Sequence, residues 1–257
     1  MQPTDHFFDI FFELSNSYRY NVLKMLSEEN FNSTAIAKHL SITTQETSRH
    51  LSRLVNAGLA YKTQTGEYDL TPYGYIIGHS VSNLLFITHN KSYFSEHSMS
   101  ETPDRFLSRL NELESCNQIM DVMVVFANIE RIIEEAEDYV WRLPNRYNMM
   151  SLPELEKATE RGVEFKLLQT KQFKFPPDWP GPGVILKDAR LNGVFEVRNN
   201  PDANIFLAMN EKEVAILAFP LNENSFDYRG FSSKDLKFLG WCTEVFDYYW
   251  QTASQVN

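Results

Sequence analysis

The sequence predicts an α/β protein with a small, mostly helical N-terminal domain that carries a β-hairpin, a linker helix, and a larger C-terminal α/β domain. Three observations indicate this fold class. Residues 33–71 predict two short helices followed by a hairpin, a helical pattern continues beyond them, and helices alternate with apolar strands after residue 103. We therefore expect domains at residues 1–78, 79–102 and 103–257.

The first short helix of this stretch is predicted from Ser33 to Leu40. The hydroxyl of Ser33 can accept a hydrogen bond from a free backbone N–H group of the first turn, which makes this residue a candidate cap. Ser41 and Ile42 follow as a tight turn, with the side chain of Ile42 directed into the core.

The second helix has clear start and stop signals. Thr43 and Thr44 are good N-cap candidates, and the helix runs to about Ala57 because Gly58 suits the left-handed stop that follows many helices. Apolar and small side chains recur at helical spacing and predict a core-facing stripe. This stripe consists of Thr47, Leu51, Leu54 and Val55.

The other side of the same helix is polar and cationic. Its side chains can donate or accept hydrogen bonds, and Glu46 is the only acid in the helix. A helix of this kind fits the major groove of DNA, where such side chains reach base edges and phosphates. The alternative is a surface helix of an ordinary bundle, which would more often carry Glu–Lys pairs one turn apart. The polar side consists of Gln45, Ser48, Arg49, Ser52, Arg53 and Asn56.

Two short strands are predicted after this helix, at residues 59–62 and 67–70. Thr65 and Gly66 lie between them as a turn, with glycine where a positive φ is needed. The period of two predicts that one hairpin face, made of Leu59, Tyr61, Tyr68 and Leu70, packs inward. Lys62, Thr63 and Gln64 then lie at the exposed tip, where they can contact phosphate or the minor groove.

Four phenylalanines near the N-terminus form an apolar stripe at residues 7, 8, 11 and 12. The stripe fits the core of the small domain or the seam of a dimer, and the sequence leaves both readings open. Thr71 and Pro72 begin a further helix, predicted to reach about Phe94, which we expect to link the domains and pack against its copy in a homodimer.

Composition and charge restrict the class of protein. The chain has 257 residues and a formal net charge of −10. Most of the acidity lies after residue 78, whereas residues 30–66 contain four Lys or Arg against Glu46 alone. An acidic remainder suppresses non-specific binding to nucleic acid and makes affinity salt-dependent. No export signal, membrane span or disulfide framework is evident, so a cytoplasmic location is expected.

The C-terminal domain is predicted to alternate helices and strands. The predicted helices lie at about 103–114, 118–137, 151–161 and 232–252, and the predicted strands at 139–143, 163–169, 194–198, 204–209 and 214–219. The chain has no histidine after residue 97, no nucleophile elbow and no phosphate-binding loop, so we expect no catalytic residues and no enzyme. His79, His89 and His97 lack ligand spacing, and we expect neither a metal nor a cofactor.

Ligand binding in this domain is suggested by cationic and aromatic residues at strand ends. Trp141, Arg142 and Arg146 lie at the end of the first strand, and Arg198 closes another. Ligands bind at such ends in open α/β sheets, and arginines there can hold a carboxylate or phosphate. The alternative is pairing with nearby acids. Residues 173–183 are rich in proline and aromatic side chains and form either a lid or a stiff crossing loop.

Residues 14–77 resemble the winged helix-turn-helix of ArsR-like and MarR-like regulators. The resemblance is carried by T-S-R-H-L-S-R-L-V-N-A-G-L-A and the closing L-T-P-Y-G. It implies contact with double-stranded DNA and no metal, because the cysteine and carboxylate or histidine clusters of the metal-sensing members are not visible here. The implied and predicted DNA-binding residues are Ser33, Thr43, Thr44, Gln45, Ser48, Arg49, Arg53, Lys62 and Gln64.

The C-terminal domain resembles the sensor domain of archaeal winged-helix regulators of the methanogenesis-regulator type. The resemblance is carried by I-E-R-I-I-E-E-A-E-D-Y-V-W-R-L at 129–143 and R-G-V-E-F-K-L-L at 161–168. The hairpin I-F-L-A-M-N-E-K-E-V-A-I-L at 205–217 also resembles half of the phospholipase D-like fold. Phosphodiesterases of that fold need a histidine that this domain lacks, so the resemblance implies binding rather than catalysis.

The sequence therefore predicts a cytoplasmic, homodimeric, sequence-specific DNA-binding transcription regulator of archaeal type. Its C-terminal domain is expected to bind a small-molecule effector or a partner. The main rival is a protein-interaction module whose winged helix does not bind DNA, and a hydrolase is the third hypothesis.

Overall fold

The computed structural model contains two compact units, residues 1–84 and 85–257. The residues that it describes are 3–146, 151–170, 173–179, 181–223 and 225–256. Helices dominate the first unit and an eight-stranded sheet dominates the second, which confirms the predicted mixed α/β class. Among the described residues, no helix combines the length and apolar character needed to cross a membrane.

The first unit has five helices and a two-stranded hairpin among its described residues. They are α1 (Pro3–Leu14), α2 (Ser17–Leu26), α3 (Ser33–Leu40), α4 (Thr44–Asn56), β1 (Ala60–Lys62), β2 (Tyr68–Leu70) and α5 (Pro72–His89), whose last turn belongs to the second unit. A small core joins α2, α3, α4 and the hairpin. It is built mainly on Val22, Leu23, Leu26, Ile36, Leu51, Leu54 and Leu59.

Side-chain caps fix the two helices of the predicted helix-turn-helix. The cap of α3 is Asn32 rather than Ser33, since the Asn32 side chain accepts a hydrogen bond from the Ala35 N–H at 2.9 Å. At the start of α4, Thr43 accepts from the Glu46 N–H at 3.2 Å, and the Thr43 N–H donates to the Glu46 carboxylate at 3.0 Å. This reciprocal capping box confirms the predicted start of α4.

The end of α4 is also as predicted, with Gly58 at a φ of 72°. The predicted core stripe is correct for Thr47, Leu51 and Leu54, which are fully buried. It is wrong for Val55, which is 38% exposed. The reason is geometric, because Val55 lies at the border of the buried stripe on the last turn of the helix, where the core no longer covers it.

The hairpin forms where predicted, but its faces differ from the prediction. Ala60 pairs with Leu70, and Lys62 pairs with Tyr68, so these four side chains share one face. Tyr61 lies on the opposite face and donates from its hydroxyl to Asp69 at 3.1 Å. The predicted inward face is therefore wrong for Tyr61. The error follows from counting the period from Leu59, which precedes the paired strand.

The N-terminal phenylalanines do not fill the core. Phe7, Phe8, Phe11 and Phe12 are all exposed on α1, Phe8 by 66%. The core reading of this stripe is thus wrong, and the dimer seam stays a prediction. The predicted helix after Thr71 begins as expected, since Thr71 accepts from the Gly74 N–H at 2.9 Å, but it ends at His89 instead of Phe94.

The second unit contains one large sheet with helices on both faces. Its elements are α6 (Lys91–Phe94), α7 (Asp104–Leu107), a 3-10 helix (Leu110–Leu113), β3 (Asn117–Ile119), α8 (Val122–Glu135), β4 (Tyr139–Leu143), α9 (Leu152–Glu160), β5 (Glu164–Gln169), α10 (Val184–Leu191), β6 (Phe195–Asn199), β7 (Phe206–Asn210), β8 (Val214–Ala218), β9 (Gly230–Ser233), α11 (Leu236–Gln251) and β10 (Ser254–Gln255).

The strand order of the sheet is β10-β6-β5-β4-β7-β8-β9-β3. The strands β4, β5 and β6 are parallel, and the remaining pairs are antiparallel. One face of the sheet packs on α11 through a core that includes Trp241, Phe246, Leu207 and Leu217. The other face packs on α8, α9 and α10. Asp121 and Asp235 cap α8 and α11 by accepting hydrogen bonds from backbone N–H groups of their first turns.

Several elements of this unit were not predicted. The predicted helix at 103–114 is two short helical turns, and β3 replaces the start of the predicted helix at 118–137. The strand β9 was missed because it begins with Gly230, a poor strand former. A side chain there is excluded by close packing, since a Cβ atom would lie 2.3 Å from the carbonyl oxygen of Leu217.

Candidate nucleic-acid interface

The helix α4 presents a continuous polar face opposite its buried stripe. We define the polar face of α4 as Gln45, Ser48, Arg49, Ser52 and Arg53, all of which are exposed. The hydroxyl of Ser48 donates to the Thr44 carbonyl at 2.8 Å, and that of Ser52 donates to the Ser48 carbonyl at 2.8 Å. Both serines therefore turn oxygen lone pairs outward as hydrogen-bond acceptors.

The two arginines of this face differ in their surroundings. Arg49 makes no hydrogen bond or ion pair with any residue in the part of the chain that the structure describes. Arg53 is held by Glu13 of α1, with Nε 2.8 Å from Oε2 and Nη2 2.5 Å from Oε1. Its guanidinium also lies 5.4 Å from the centre of the Phe12 ring. Arg53 is still 47% exposed.

The ion pair between Glu13 and Arg53 changes the pKa of both groups so that each charged form is favoured. The hydrogen bonds from Arg53 hold the pKa of Glu13 below its ordinary value, and the same bonds raise the pKa of Arg53. Because the pKa of Glu13 is lowered, the ion pair is complete at neutral pH. It is lost only as the pH falls through that lowered pKa.

The remaining predicted DNA residues lie at the two ends of this surface. Thr44 is exposed at the first turn of α4, whereas the Thr43 hydroxyl is engaged by Glu46 in the capping box. Ser33 is half-buried in the first turn of α3. On the hairpin, Lys62 and Gln64 are exposed, and the Lys62 ammonium lies 5.8 Å from the centre of the Tyr68 ring.

The tip of the hairpin is closed by its own hydrogen bonds. The Thr63 N–H donates to the Glu67 carbonyl at 2.7 Å, and the Thr63 and Thr65 hydroxyls lie 2.8 Å apart. Gly66 takes a φ of 88°, as the predicted turn requires. These hydrogen bonds fix the backbone of the hairpin tip, from which the side chains of Lys62 and Gln64 extend.

The four residues predicted to bind a ligand in the second unit are not brought together. Trp141 lies on the face that packs on α11, where it stacks on Phe246 at 4.9 Å. Arg198 donates to the Trp250 carbonyl at 3.2 Å and to Glu196 at 3.3 Å, so it is engaged within the unit as the alternative reading held.

Arg142 and Arg146 both border a small cleft of about 10 Å³ beside Ser151, but only Arg146 also lines a larger cavity. Arg142 follows Trp141 in β4 and therefore points to the opposite face, where it is buried 3.5 Å from the Ser151 hydroxyl. Arg146 is exposed and lines a cavity of about 830 Å³ together with Asn145, Thr170, Lys174 and Asp202. This cavity lies at the carboxyl ends of β4 and β5, as ligand sites do in open α/β sheets.

The cavity contains polar groups whose bonding is incomplete. Thr170 is 4% exposed, and its hydroxyl has no hydrogen-bond partner among the described residues. Neither Arg146 nor Lys174 forms an ion pair within those same ranges. The backbone N–H of Lys174 donates to the Asn145 carbonyl at 3.2 Å, so the start of the aromatic, proline-rich segment forms part of the cavity wall. Where the structure describes the chain, it places no group of three or more His, Cys, Asp or Glu so as to hold a metal.

Sequence reasoning missed Glu13. It is 40 residues from Arg53 in the chain, and no spacing rule joins them. It also missed the hydroxyl of Thr170 and the ammonium of Lys174 in the cavity wall, because β5 and the segment that follows it meet β4 only in the folded sheet.

Residues 16–62 match the family model described as bacterial regulatory protein, arsR family. The first unit therefore contains an arsR-type helix-turn-helix. No curated protein matches the chain.

Among solved structures, the chain is similar to TrmBL2, an archaeal chromatin protein described as showing a novel mode of DNA binding. The identity is 16%, 88% of each chain is covered, and the TM-score is 0.43. It is also similar to Nuc, a phospholipase D family member from Salmonella typhimurium, with 12% identity over 51% of this chain and 90% of that one and a TM-score of 0.35. At these scores the similarities are distant and identify neither a ligand nor an activity.

Proposed function

We propose that this protein is a sequence-specific DNA-binding transcription regulator whose polar face of α4 enters the major groove of a duplex. The observation that carries the proposal is the division of α4 into a fully buried stripe and an exposed polar face. A photo-crosslinking residue in place of Ser48, at the centre of that face, tests it directly.

The size and chemistry of α4 suit this role. Its 13 residues span about 20 Å, and the major groove of B-DNA admits a helix of this diameter. Arg49 and Arg53 lie one turn apart on the same side and can reach phosphate or guanine. Gln45 and the outward lone pairs of Ser48 can reach other base edges. Lys62 and Gln64 on the hairpin suit contact with the neighbouring backbone or minor groove.

We further propose that the protein acts as a homodimer through the exposed aromatic face of the first unit. Phe7, Phe8, Phe11 and Phe12 leave α1 with an apolar surface that water covers in the single chain. On α5, Tyr73, Tyr75 and Ile76 are also exposed. Apolar patches of this kind mark association surfaces, and a dimer allows two copies of α4 to read two half-sites.

The sensing role proposed for the second unit rests on the cavity at β4 and β5. Arg146 and Lys174, which form no ion pair within the described residues, line this cavity together with the carboxylates of Glu101 and Asp202. The buried Thr170 hydroxyl has no hydrogen-bond partner in those ranges. This lining favours a small polar effector that has an anionic group for the two cations and also accepts or donates a hydrogen bond. Such an effector alters DNA binding only if it binds two arrangements of the dimer unequally.

Native mass spectrometry of the protein taken from its source organism tests this cavity. We expect an adduct of small-molecule mass that is lost when Arg146 and Lys174 are both replaced by alanine, because the anion then loses its two cations. The pair Lys187→Ala with Arg190→Ala removes the same charge from exposed positions on α10 and should keep the adduct. An adduct that survives the removal of Arg146 and Lys174 contradicts the assignment.

A further inference from the structure

Glu13 joins the end of α1 to the polar face of α4. Its carboxylate lies between two guanidinium groups, that of Arg53 on α4 and that of Arg19 on α2. The Glu13 side chain is only 14% exposed and that of Arg19 only 9%, whereas Arg53 faces solvent. The three charged groups thus form a cluster in which Glu13 and Arg19 are mostly buried and Arg53 is exposed to solvent.

The fork geometry of Arg53 leaves one edge open. Glu13 takes the Nε–H and one hydrogen of Nη2. A guanidinium carries five N–H donors, so the edge made by Nη1 and the second Nη2 hydrogen stays available for a bidentate contact. Within the part of the chain that the structure describes, no other hydrogen bond uses this edge.

The charge of the cluster supports contact with an anion. One carboxylate lies between two cations, so a net positive charge remains and its exposed end is Arg53. Arg19 contributes a second function, because it also donates to the backbone carbonyls of Glu13 and Phe12, at 2.6 and 3.0 Å. These bonds satisfy free carbonyl groups at the end of α1 and fix the residue that carries the carboxylate.

We propose that Glu13 is a positioning residue for DNA recognition, which fixes the guanidinium of Arg53 so that its Nη1–Nη2 edge faces the duplex. This inference rests on the proposed function. It follows from three observations. Glu13 contacts Arg53 through two hydrogen bonds, Glu13 and Arg19 are mostly buried, and the Nη1–Nη2 edge of Arg53 has no partner among the described residues. Phe12 assists by covering one side of the guanidinium.

Positioning contributes to affinity because the Arg53 side chain is already ordered before DNA binds, so less side-chain conformational entropy is lost on binding. Fixing a long side chain in advance is worth about fivefold in affinity per protomer. In the opposite role, the Glu13 carboxylate competes with DNA phosphate for the Arg53 guanidinium and so weakens DNA binding. The two roles predict opposite signs for the effect of removing the carboxylate.

The variant Glu13→Gln separates these signs, and Glu28→Gln is its matched control. Both remove one negative charge from the first unit, but Glu28 is exposed and has no contact with Arg53. Arg19 keeps its two backbone carbonyl bonds in Glu13→Gln, so the unit should still fold. Affinity is measured by fluorescence anisotropy on the genomic duplex that the wild-type protein selects from its source organism.

We expect Glu13→Gln to bind about 25-fold more weakly than Glu28→Gln, that is, about fivefold for each protomer of the proposed dimer, although both lose a charge that repels DNA. In an Arg53→Ala background the difference should vanish, because there is no guanidinium left to position. If Glu13→Gln binds the duplex as tightly as Glu28→Gln or more tightly, the proposal is overturned, and Glu13 instead competes with DNA for Arg53. A deficit that persists with Arg53→Ala overturns it in favour of a role in folding.

These outcomes also separate the positioning role from the proposed function. If Arg53→Ala weakens duplex binding and Glu13→Gln matches its control, DNA binding stands and positioning fails. If the wild-type protein selects no duplex, the proposed function fails and the positioning role fails with it.

Discussion

Replacing Arg49 and Arg53 together by alanine is expected to weaken duplex binding by at least about 100-fold and to leave the fold unchanged. Both side chains are exposed on the polar face of α4, and a dimer would lose four guanidinium groups. Each arginine can make a bidentate contact to phosphate or guanine, and alanine can make neither. The slope of affinity against salt concentration should also fall by about one for each phosphate that the variant no longer neutralises.

The control for this prediction is Lys187→Ala with Arg190→Ala, which removes the same charge from exposed positions on α10. Affinity for sheared genomic duplex is measured for both double variants, and circular dichroism monitors the fold. Unchanged binding after replacement of Arg49 and Arg53 would favour the rival hypothesis, a protein-interaction module whose winged helix does not bind DNA.

The second large effect is expected at the aromatic face of α1. Replacing Phe8 and Phe11 together by serine should weaken self-association by about 1000-fold. About half of each ring is exposed in the single chain, so its burial in a dimer is worth about 1 kcal/mol, and a dimer loses four such rings. The fold should persist because both rings are exposed in the single chain.

Sedimentation velocity at micromolar concentration measures this effect. Leu191→Ser serves as the control, because Leu191 is an exposed apolar residue at the end of α10. A wild-type protein that sediments as a monomer, or a double variant that dimerises as the wild type does, would refute the dimer. Loss of dimerisation should also weaken duplex binding, because each monomer then reads one half-site.

The helix-turn-helix was predictable because its signals are local. The spacing of Thr47, Leu51 and Leu54 and the stop at Gly58 lie within one helix, and the capping box at Thr43 closes over three residues. The same rules failed at Val55 and Tyr61, where the answer depends on where the core ends and where strand pairing starts.

Contacts between distant segments were not predictable. Nothing in the spacing of Glu13 and Arg53 signals their ion pair. The predicted ligand site grouped Trp141 with Arg142 because they are adjacent in sequence, but successive residues of a strand point to opposite faces of the sheet. The cavity beside Arg146 depends on Thr170 and Lys174, which reach it only through the parallel pairing of β4 with β5 and the chain that follows β5.

The most direct test of the central claim is photo-crosslinking from the polar face of α4. A benzophenone side chain is placed at Ser48 in one variant and at Leu191 in another, and each protein is irradiated with labelled genomic duplex. We expect a crosslink to the duplex from position 48, little from position 191, and disappearance of the first crosslink on competition with unlabelled duplex. A duplex that crosslinks equally at both positions, or at neither, would contradict the central claim.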